Sequence, residues 1–182
     1  MNHSALTTSQ PSIWLMQHSH YIKTGGKVLD VASGHGRNAI WLAQQGFKVT
    51  AVDRDAAALS TLKNQAPSVD THLQDLEQGC WPYSQQQFDA IIVCRYLHRP
   101  LLPLLANSLA ASGVLIYETF MEGHEQYGRP RNPDFLLKSN ELLISYLPLF
   151  KVISYNEGVL EQEPSPAVIQ RLVAVKTSNR LS

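Results

Sequence analysis

Short apolar runs rich in β-branched residues alternate with amphipathic stretches from Lys27 onward. The run DAIIVC is apolar at consecutive positions, which is typical of a central strand buried on both faces. Alternating strand and helix signals of this kind predict a parallel sheet covered by helices on both faces. Five strands are predicted, at residues 28–31, 48–52, 69–73, 88–93 and 114–119.

Three stretches between these runs predict helices. RNAIWLAQQG has Ile40, Ala43 and Phe47 at helical spacing, and Gly46 stands where a helix would end in a left-handed residue. DRDAAALSTLKNQAP offers an aspartate cap and ends with Pro67, which cannot continue a helix. In RPLLPLLANSLAASG both prolines lie near the predicted helix start, where a missing N–H costs little.

The two ends of the chain depart from this pattern. FKVISY and AVIQRLVAVK alternate in polarity and are joined by the turn-rich NEGVLEQEPSP, which predicts an antiparallel pair closing the sheet. Residues 1–24 are polar apart from IWLM and YI, and predict one short helix after a capping signal at Ser9, Gln10 and Pro11. This N-terminal segment is expected to pack on the domain, with the covering of a cofactor as the alternative. Residues 25–178 are interpreted as one domain.

Composition narrows the choice of partners. The 182 residues carry 15 Lys+Arg and 15 Asp+Glu, so no bulk field attracts nucleic acid or an anionic membrane. No early apolar run is long enough for a signal peptide or a bilayer span. The two cysteines are too few for a disulfide framework and are predicted to be buried free thiols. We therefore expect a cytoplasmic protein whose partner is a small molecule.

A glycine loop follows the first predicted strand. Gly34, Gly36 and Ala39 spell G-x-G-x-x-A, a form of the dinucleotide-binding fingerprint. Asp53 follows Gly34 at close to the expected spacing of about 20 residues. Taken alone, the loop is compatible with a nicotinamide enzyme. It is also compatible with a structural explanation, in which the glycines serve only the turn between strand and helix.

Three aspartates, Asp30, Asp53 and Asp75, lie at the tips of three successive predicted strands, where an open parallel sheet binds its ligand. A second negative charge about 4 Å from a carboxylate costs roughly 4 kcal/mol at an effective dielectric near 20, so Asp30 beside the glycines disfavours a pyrophosphate and favours an ammonium group. Asp53 could accept from both ribose hydroxyls, and Asp75 from an adenine amine. Structural alternatives stay open, in which the three residues brace loop amides, cap a helix and stabilise a turn.

The segments VLDVASGHGRNAIWLAQQGFKVTAVDRD, LQDLE and FDAIIVCRYLHRP together resemble the class I S-adenosylmethionine-dependent methyltransferases, over roughly residues 26–119. GRNAIWLAQQGFKVTAVD is most similar to the small tellurite-resistance-type members. The resemblance implies an α/β fold with a Rossmann-like, doubly wound sheet of seven strands, mostly parallel with the last strand antiparallel. It also implies S-adenosyl-L-methionine as cofactor and S-adenosyl-L-homocysteine as product.

The loop departs from the family pattern acid-x-Gly-x-Gly-x-Gly at Ala32, which replaces the first glycine. An alanine there is expected either to narrow the space beside the methionine part of the cofactor or to forbid a positive φ. The predicted cofactor-contacting residues are Asp30, Ala32, Gly34, Gly36, Asn38, Asp53, Arg54, Asp75, Leu76 and Cys94.

The reaction site is expected beyond the fourth and fifth strands, because CRYLHRP occupies a position that in the family faces both the cofactor and the acceptor. Methyl transfer is a displacement at carbon, so a base is needed only if the acceptor must lose a proton. His98, Glu118 and Tyr96 are the candidate catalytic residues. The irregular stretch YETFMEGHEQYGRPRNPDFLL predicts an acceptor-binding lid, or a solvated loop. No histidine has a partner at metal-ligand spacing, so no metal is predicted.

Two other functions compete with a methyltransferase that acts on a small molecule by in-line displacement. An NAD(P)-dependent oxidoreductase is disfavoured by Asp30 and by the lack of any Tyr followed four residues later by Lys. A non-catalytic domain that binds S-adenosylmethionine or S-adenosylhomocysteine for regulation is left open by Ala32 and by the unassigned base. Nucleic-acid modification is disfavoured by the zero net charge.

Overall fold

One seven-stranded sheet forms the centre of the structure, a computed structural model that describes residues 10–161 and 166–177. The strands are β1 Lys27–Val31, β2 Lys48–Asp53, β3 Asp70–Leu73, β4 Phe88–Cys94, β5 Leu109–Phe120, β6 Phe150–Leu160 and β7 Ala167–Lys176. The α-helices are α1 Ile13–His18, α2 Arg37–Gln44, α3 Ala56–Gln65, α4 Leu102–Asn107 and α5 Glu141–Tyr146. The strands lie in the order β3-β2-β1-β4-β5-β7-β6.

The sheet has the topology of a doubly wound α/β fold. β1 pairs in parallel with β2 and β4, and β3 and β5 extend the parallel part on either side. β7 is antiparallel to both of its neighbours, β5 and β6. The predicted Rossmann-like sheet of seven strands, with an antiparallel last strand, is therefore confirmed. Strands β2 and β3 are added on one side of β1, and β4 and β5 on the other side, so the order of strand addition reverses between β1 and β4. Open α/β sheets bind their ligands at this point, at the carboxyl ends of the strands.

Two layers of helices cover the sheet because alternate strand residues point to opposite faces. In β4, Ile91 and Val93 join a core with α4 and α5, whereas Ala90 and Ile92 join a core with α1, α2 and α3. All four are at most 1% exposed, as expected for a strand buried on both faces. Among the described residues, no helix is both long enough and apolar enough to cross a membrane.

The helices α2 and α3 form where the sequence predicts them. Gly36 caps α2 with a φ of 78°, and Gly46 follows its end with a φ of 87°. Asp55 caps α3, because its Oδ1 accepts from the N–H groups of Ala57 and Ala58 at 2.9 and 3.0 Å. The alternative in which Asp53 caps this helix is therefore wrong.

The N-terminal helix begins after a different cap from the one predicted. Ser12 Oγ accepts from the N–H of Leu15 at 3.1 Å, so Ser12 is the cap of α1; Ser9 lies outside the described residues. A separate 3₁₀ turn at Ser19–Tyr21 follows α1, so IWLM and YI belong to two elements rather than one helix. Trp14 and Leu15 are buried in the core shared with α2 and α3.

Several other expectations from the sequence are corrected. β5 begins at Leu109 instead of residue 114, because Leu109 pairs with Phe88 across a register shift. The segment NEGVL continues β6 to Leu160 instead of beginning the connection to β7. Helix α5 was not predicted. Cys80 is an exposed thiol and Cys94 is half-buried, so of the two predicted buried thiols neither is fully enclosed, although both are free.

Candidate functional site

A cleft with a volume of about 380 Å³ lies at the carboxyl ends of the parallel strands. This is within the range of small-ligand pockets, roughly 300 to 1,000 Å³. One half is formed by the end of β2 and the loops after β1, β2 and β3, and we call it the acidic half. The other is formed by the end of β5 and the segments after β4 and β5, and we call it the aromatic half. The acidic half is lined by Ala32, Asp53, Arg54, Asp75, Leu76 and Glu77, and the aromatic half by Arg95, Tyr96, Thr119, Phe120, Pro130 and Phe135.

Asp53 joins the end of β2 to the glycine loop. Its Oδ2 accepts from the N–H of Gly34 at 2.7 Å, and its Oδ1 accepts from the N–H of Asp55 at 2.9 Å. Each carboxylate oxygen has room for a second hydrogen bond, because an ionised carboxylate offers about four lone-pair positions. The half-buried Asp53 is therefore held in place while it can still accept from a ligand in the cleft.

Asp75 lies after β3 on the same side of the cleft. Its Oδ1 accepts from the N–H of Glu77 at 2.9 Å, which forms the turn proposed as its structural alternative. Arg54 Nη1 lies 3.9 Å from Glu77 Oε2, and both side chains are largely solvated. Leu76 packs against the core beneath. Asp53 and Asp75 are thus brought to one surface, as their strand-tip positions predict.

Asp30 does not share that surface. It is 1% exposed, and the backbone N–H of Ala39, in α2, donates to it. Burial raises the pKa of Asp30 to about 7, with Asp53 adding to the rise, while the Ala39 amide and Arg37 oppose it. Its Oδ2 has no hydrogen-bond partner among the described residues. The expectation that this carboxylate faces the cleft directly is corrected: it faces the start of α2.

The glycine loop turns through left-handed conformations. Ala32 has a φ of 53° and Gly34 a φ of 53°, so the expectation that an alanine forbids a positive φ is wrong. Ala32 lines the cleft, so its methyl group does occupy part of the cavity wall. A Cβ on Gly34 would have open space, whereas a Cβ on Gly36 would lie 2.3 Å from Leu62 Cδ1. Gly36 is therefore required by close packing of α2 on α3.

Arg37 and Asn38, at the start of α2, attach the N-terminal segment to the loop. Asn38 Oδ1 accepts from the N–H of Ser12 at 2.9 Å, and Arg37 Nη1 donates to the carbonyl of Gln10 at 2.9 Å. Asn38 is 4% exposed and lies outside the cleft lining. Its contact with a cofactor stays a prediction, whereas its contact with Ser12 is observed.

Cys94 and Glu118, at the ends of β4 and β5, lie side by side because the two residues are paired in register. Arg37 Nη2 donates to Cys94 Sγ at 3.0 Å, and Cys94 Sγ donates to Glu118 Oε1 at 3.0 Å. Burial and the neighbouring Glu118 raise the pKa of the Cys94 thiol to about 12, with Arg37 opposing the rise. Cys94 is therefore a neutral thiol at physiological pH and not a nucleophile.

Of the three candidate catalytic residues, Tyr96 is the one that lines the cleft. Burial, followed by the charges of Glu77 and Asp75, raises its pKa well above the ordinary tyrosine value. His98 precedes the 3₁₀ turn Arg99–Leu101 and is half-buried outside the cleft lining. Glu118 is engaged by Cys94. Their catalytic roles stay predictions, and the described residues contain no cluster of three side chains able to hold a metal ion.

The segment after β5 forms part of the cleft wall. Its His124 is 5% exposed and stacks on Phe120, with ring centroids 4.1 Å apart. His124 Nδ1 accepts from the N–H of Val168 at 3.3 Å, so the proton is on Nε2, which donates to the carbonyl of Arg129 at 3.0 Å. His124 therefore anchors this segment, which contributes Pro130 and Phe135 to the wall, next to Phe120 at the end of β5.

Arg99 also anchors the segment that follows β5. Its Nε donates to Glu141 Oε1 at 2.6 Å, and its two terminal nitrogens donate to the carbonyls of Asp134 and Leu136 at 2.7 and 2.8 Å. Phe135 lies between these two carbonyls, in the 3₁₀ turn Pro133–Phe135. The role of Arg99 could not be predicted, because no local sequence pattern marks a residue whose partners lie 35 to 42 positions away.

Residues 28–111 match a family described as a methyltransferase domain. An uncharacterized methyltransferase of Synechocystis sp. is 34% identical over 77 residues, which are 42% of this chain and 35% of that protein. The matched segment thus spans about a third of the curated relative. Over this segment the chain is similar to methyltransferase domains.

Solved structures with this fold cover nearly all of the chain. TehB from Haemophilus influenzae superposes with a TM-score of 0.73 at 21% identity, over 90% of this chain and 61% of that one. A TehB-like SAM-dependent methyltransferase from Corynebacterium glutamicum has a TM-score of 0.67 at 18% identity, over 90% and 87% of the two chains. N-methyltransferase NodS from Bradyrhizobium japonicum has a TM-score of 0.69 at 12% identity, over 90% and 94%. The predicted resemblance to class I methyltransferases is confirmed.

Two backbone amides, one in the glycine loop and one in α2, indicate which ligand the loop fits. In a dinucleotide site, amides of the loop and of the helix start face the pyrophosphate. Here the N–H of Gly34 donates to Asp53, and that of Ala39 donates to Asp30. Carboxylates thus occupy positions that a diphosphate would need, and one buried oxygen of Asp30 remains without a partner. The residues fit a nucleoside with a cationic amino group.

Proposed function

We propose that this protein is an S-adenosylmethionine-dependent methyltransferase that acts on a small molecule. The observation that carries the proposal is the pair of carboxylates, Asp30 and Asp53, bonded to amides of the glycine loop and of the start of α2. A cleft of about 380 Å³ supports a small acceptor.

Residues of the acidic half would hold the cofactor. Asp53 would accept from the ribose hydroxyls with the lone pairs that Gly34 and Asp55 leave open. Asp75 would accept from the adenine amine, and Leu76 would lie beside the base. Ala32, between Asp30 and Gly34, would adjoin the methionine end.

The chemistry needs positioning more than acid–base assistance. S-adenosylmethionine, when bound, supplies a methyl group on a sulfonium, and the electron pair of the broken methyl–sulfur bond stays on sulfur. The chain's own contribution is to align the acceptor and exclude water, and such positioning can contribute roughly 7 to 11 kcal/mol. The aromatic half is suited to this, because Phe120, Pro130 and Phe135 form an apolar wall beside the acids.

Calorimetric titrations with S-adenosylhomocysteine and, separately, with NADH test the proposal. We expect S-adenosylhomocysteine to bind and NADH not to bind. Asp53→Asn should weaken binding by roughly 10- to 100-fold, the usual value of hydrogen bonds to a charged group. Asp70→Asn is the matched control, because Asp70 is an exposed acid at the opposite end of β3 and should leave the affinity unchanged.

The outcomes separate the competing functions. Binding of NADH alone would contradict the proposal and favour an oxidoreductase. Methyl turnover on any acceptor would exclude the purely regulatory alternative, in which the domain binds the nucleoside without catalysis.

A further inference from the structure

We propose that the methyl acceptor is a small aromatic carboxylate, which pairs with Arg95 and lies against Phe120 and Phe135. This inference rests on the proposed function, because it assigns the aromatic half of the same cleft to the acceptor. Three features of the aromatic half carry it: one cation, two phenyl rings and no carboxylate or imidazole among its defining residues.

Arg95 is the cation of the aromatic half. It is exposed, has a φ of 56°, and its N–H donates to the carbonyl of Glu118 at 2.8 Å. Its guanidinium lies 5.8 Å from the centre of the Phe120 ring. A non-glycine residue in this conformation is strained, and strain of this kind clusters at sites where a side chain must be aimed. A guanidinium recognises carboxylates with paired N–H donors.

Phe120 and Phe135 provide flat apolar surfaces beside that cation. Phe135 is 45% exposed and lines the cleft, so part of its ring is accessible to a ligand there. Arg99 bonds to the carbonyls on both sides of Phe135, so the ring is placed before a ligand arrives. A planar acceptor could therefore pack on these rings with little loss of side-chain freedom.

The lack of a base in the aromatic half favours a carboxylate over a phenol or an amine. Tyr96, which lines this half, has a raised pKa, while His98 and Glu118 lie outside the cleft lining. A phenol has a pKa near 10 and would need a base, whereas a carboxylate with a pKa near 4 is already ionised at neutral pH. One carboxylate oxygen would contribute its own electron pair to the new C–O bond while the methyl–sulfur pair stays on sulfur, so no proton moves.

The test uses three isosteric probes, benzoate, benzamide and benzamidine, which differ mainly in charge. Each is titrated by ligand-observed NMR into the full chain saturated with S-adenosylhomocysteine. We expect benzoate to bind roughly 10- to 100-fold more tightly than benzamide, and benzamidine to bind least. Equal or reversed affinities, or no binding of any probe, would overturn the inference.

Variants locate the effect within the cleft. Arg95→Gln should abolish the preference for benzoate, and Phe135→Ala should weaken all three probes alike. Arg131→Gln is the control, because Arg131 is an exposed cation of the same segment that does not line the cleft. S-adenosylhomocysteine should bind Arg95→Gln as it binds wild type; loss of that binding would move Arg95 to the cofactor half and overturn its assignment. Failure of wild type to bind S-adenosylhomocysteine would instead refute the proposed function itself.

Discussion

At the scale of single residues, the glycine loop contains a strained non-glycine residue, Ala32. Ala32, which stands where the family pattern has a glycine, adopts a left-handed conformation with a φ of 53°. Such a conformation costs a non-glycine residue roughly 1 to 2 kcal/mol. The loop therefore contains strain at a position that also lines the cleft.

Ala32→Gly should be neutral or stabilise the protein by up to about 1 kcal/mol, because relief of the strain offsets the larger entropy of glycine in the unfolded chain. Ala43→Gly is the matched control in the regular helix α2, where the same change should destabilise by about 1 kcal/mol. Urea unfolding of both variants gives the comparison. Equal destabilisation by the two substitutions would contradict a strained Ala32.

Asp30 makes stability depend on pH in a direction opposite to that of a paired carboxylate. Its pKa is raised from 3.8 to about 7 by burial. The group therefore contributes its full stability below the unfolded pKa and loses it as the pH rises through about 7. Between pH 5 and pH 8 the loss from this residue is about 2 to 3 kcal/mol.

Asp30→Asn should remove that loss, because an amide has no charge to bury and its oxygen can still accept from Ala39. The variant should therefore gain about 2 to 3 kcal/mol on wild type between pH 5 and pH 8. Urea unfolding at the two pH values measures the gain, with the exposed Asp134→Asn as control. A difference between variant and wild type that is the same at both pH values would rule out a titrating, buried Asp30.

At the scale of elements, Arg99 connects three pieces of chain: its own 3₁₀ turn, the turn Pro133–Phe135 and helix α5. Glu141 receives two bonds from it, at 2.6 and 3.0 Å. Although partial burial opposes it, the bonds from Arg99 and from the N–H of Lys138 lower the pKa of Glu141. The pair is therefore complete above the ordinary glutamate pKa and weakens as the pH falls through the lowered one.

Arg99→Gln should loosen the wall of the aromatic half without unfolding the sheet. Hydrogen exchange followed by mass spectrometry should become roughly 10- to 100-fold faster for residues 133–142, because one side chain supplies several charge-assisted bonds there. Exchange in α2 should stay unchanged. Arg99→Lys should restore little protection, since an ammonium cannot reproduce the paired geometry. Uniformly faster exchange across the chain would indicate general destabilisation instead.

Some strands and helices could be predicted from the sequence and others could not, for physical reasons. The bounds predicted for β1, β2 and β4 agree with the structure to within about a residue, because burial on both faces demands largely apolar runs. The bounds of β7 agree as well, because its polarity alternates along the strand. The start of β5 was missed because Leu109 continues the apolar pattern of the preceding helix, and its pairing with Phe88 depends on a register shift. Helix α5 was missed because Ile144 is 70% exposed, so its apolar residues do not mark one face.

In the candidate site, too, some residues could be predicted from the sequence and others could not. Asp53 and Asp75 were predicted because strand tips converge at one edge of a parallel sheet. The burial of Asp30 depends on the path of the glycine loop, which spacing does not reveal. Arg95, Phe120 and Phe135 come together only when the segment after β5 folds back, so their grouping is a property of the tertiary structure.

At the scale of the whole molecule, the sheet order gathers into one cleft residues that are far apart in the chain. Asp53 is the last residue of β2, Arg95 follows β4, and Phe135 lies in the segment after β5. A ligand that contacts all of these loops should stabilise the entire fold, because it binds the native state and not the unfolded chain.

S-adenosylhomocysteine at about 100 times its dissociation constant should stabilise the protein by about 2.7 kcal/mol. For a chain of this length that corresponds to a rise in Tm of roughly 5 to 11 °C. Differential scanning fluorimetry measures the shift, and the same concentration of NADH should leave Tm unchanged. No shift with S-adenosylhomocysteine, at a concentration that saturates the protein by calorimetry, would mean that it also binds the unfolded chain.

The order of β5, β6 and β7 along the chain has a consequence for synthesis of the protein, because β7 is made after both of its neighbours in the sheet. β7 lies between β5 and β6, so a growing polypeptide that has emerged only as far as residue 160 has no strand beside the outer edge of β5. The free N–H and C=O groups of such an edge are a template for pairing with a second nascent chain. Synthesis is therefore exposed to co-translational aggregation until β7 has emerged, and truncation ahead of Ala167 should yield insoluble product.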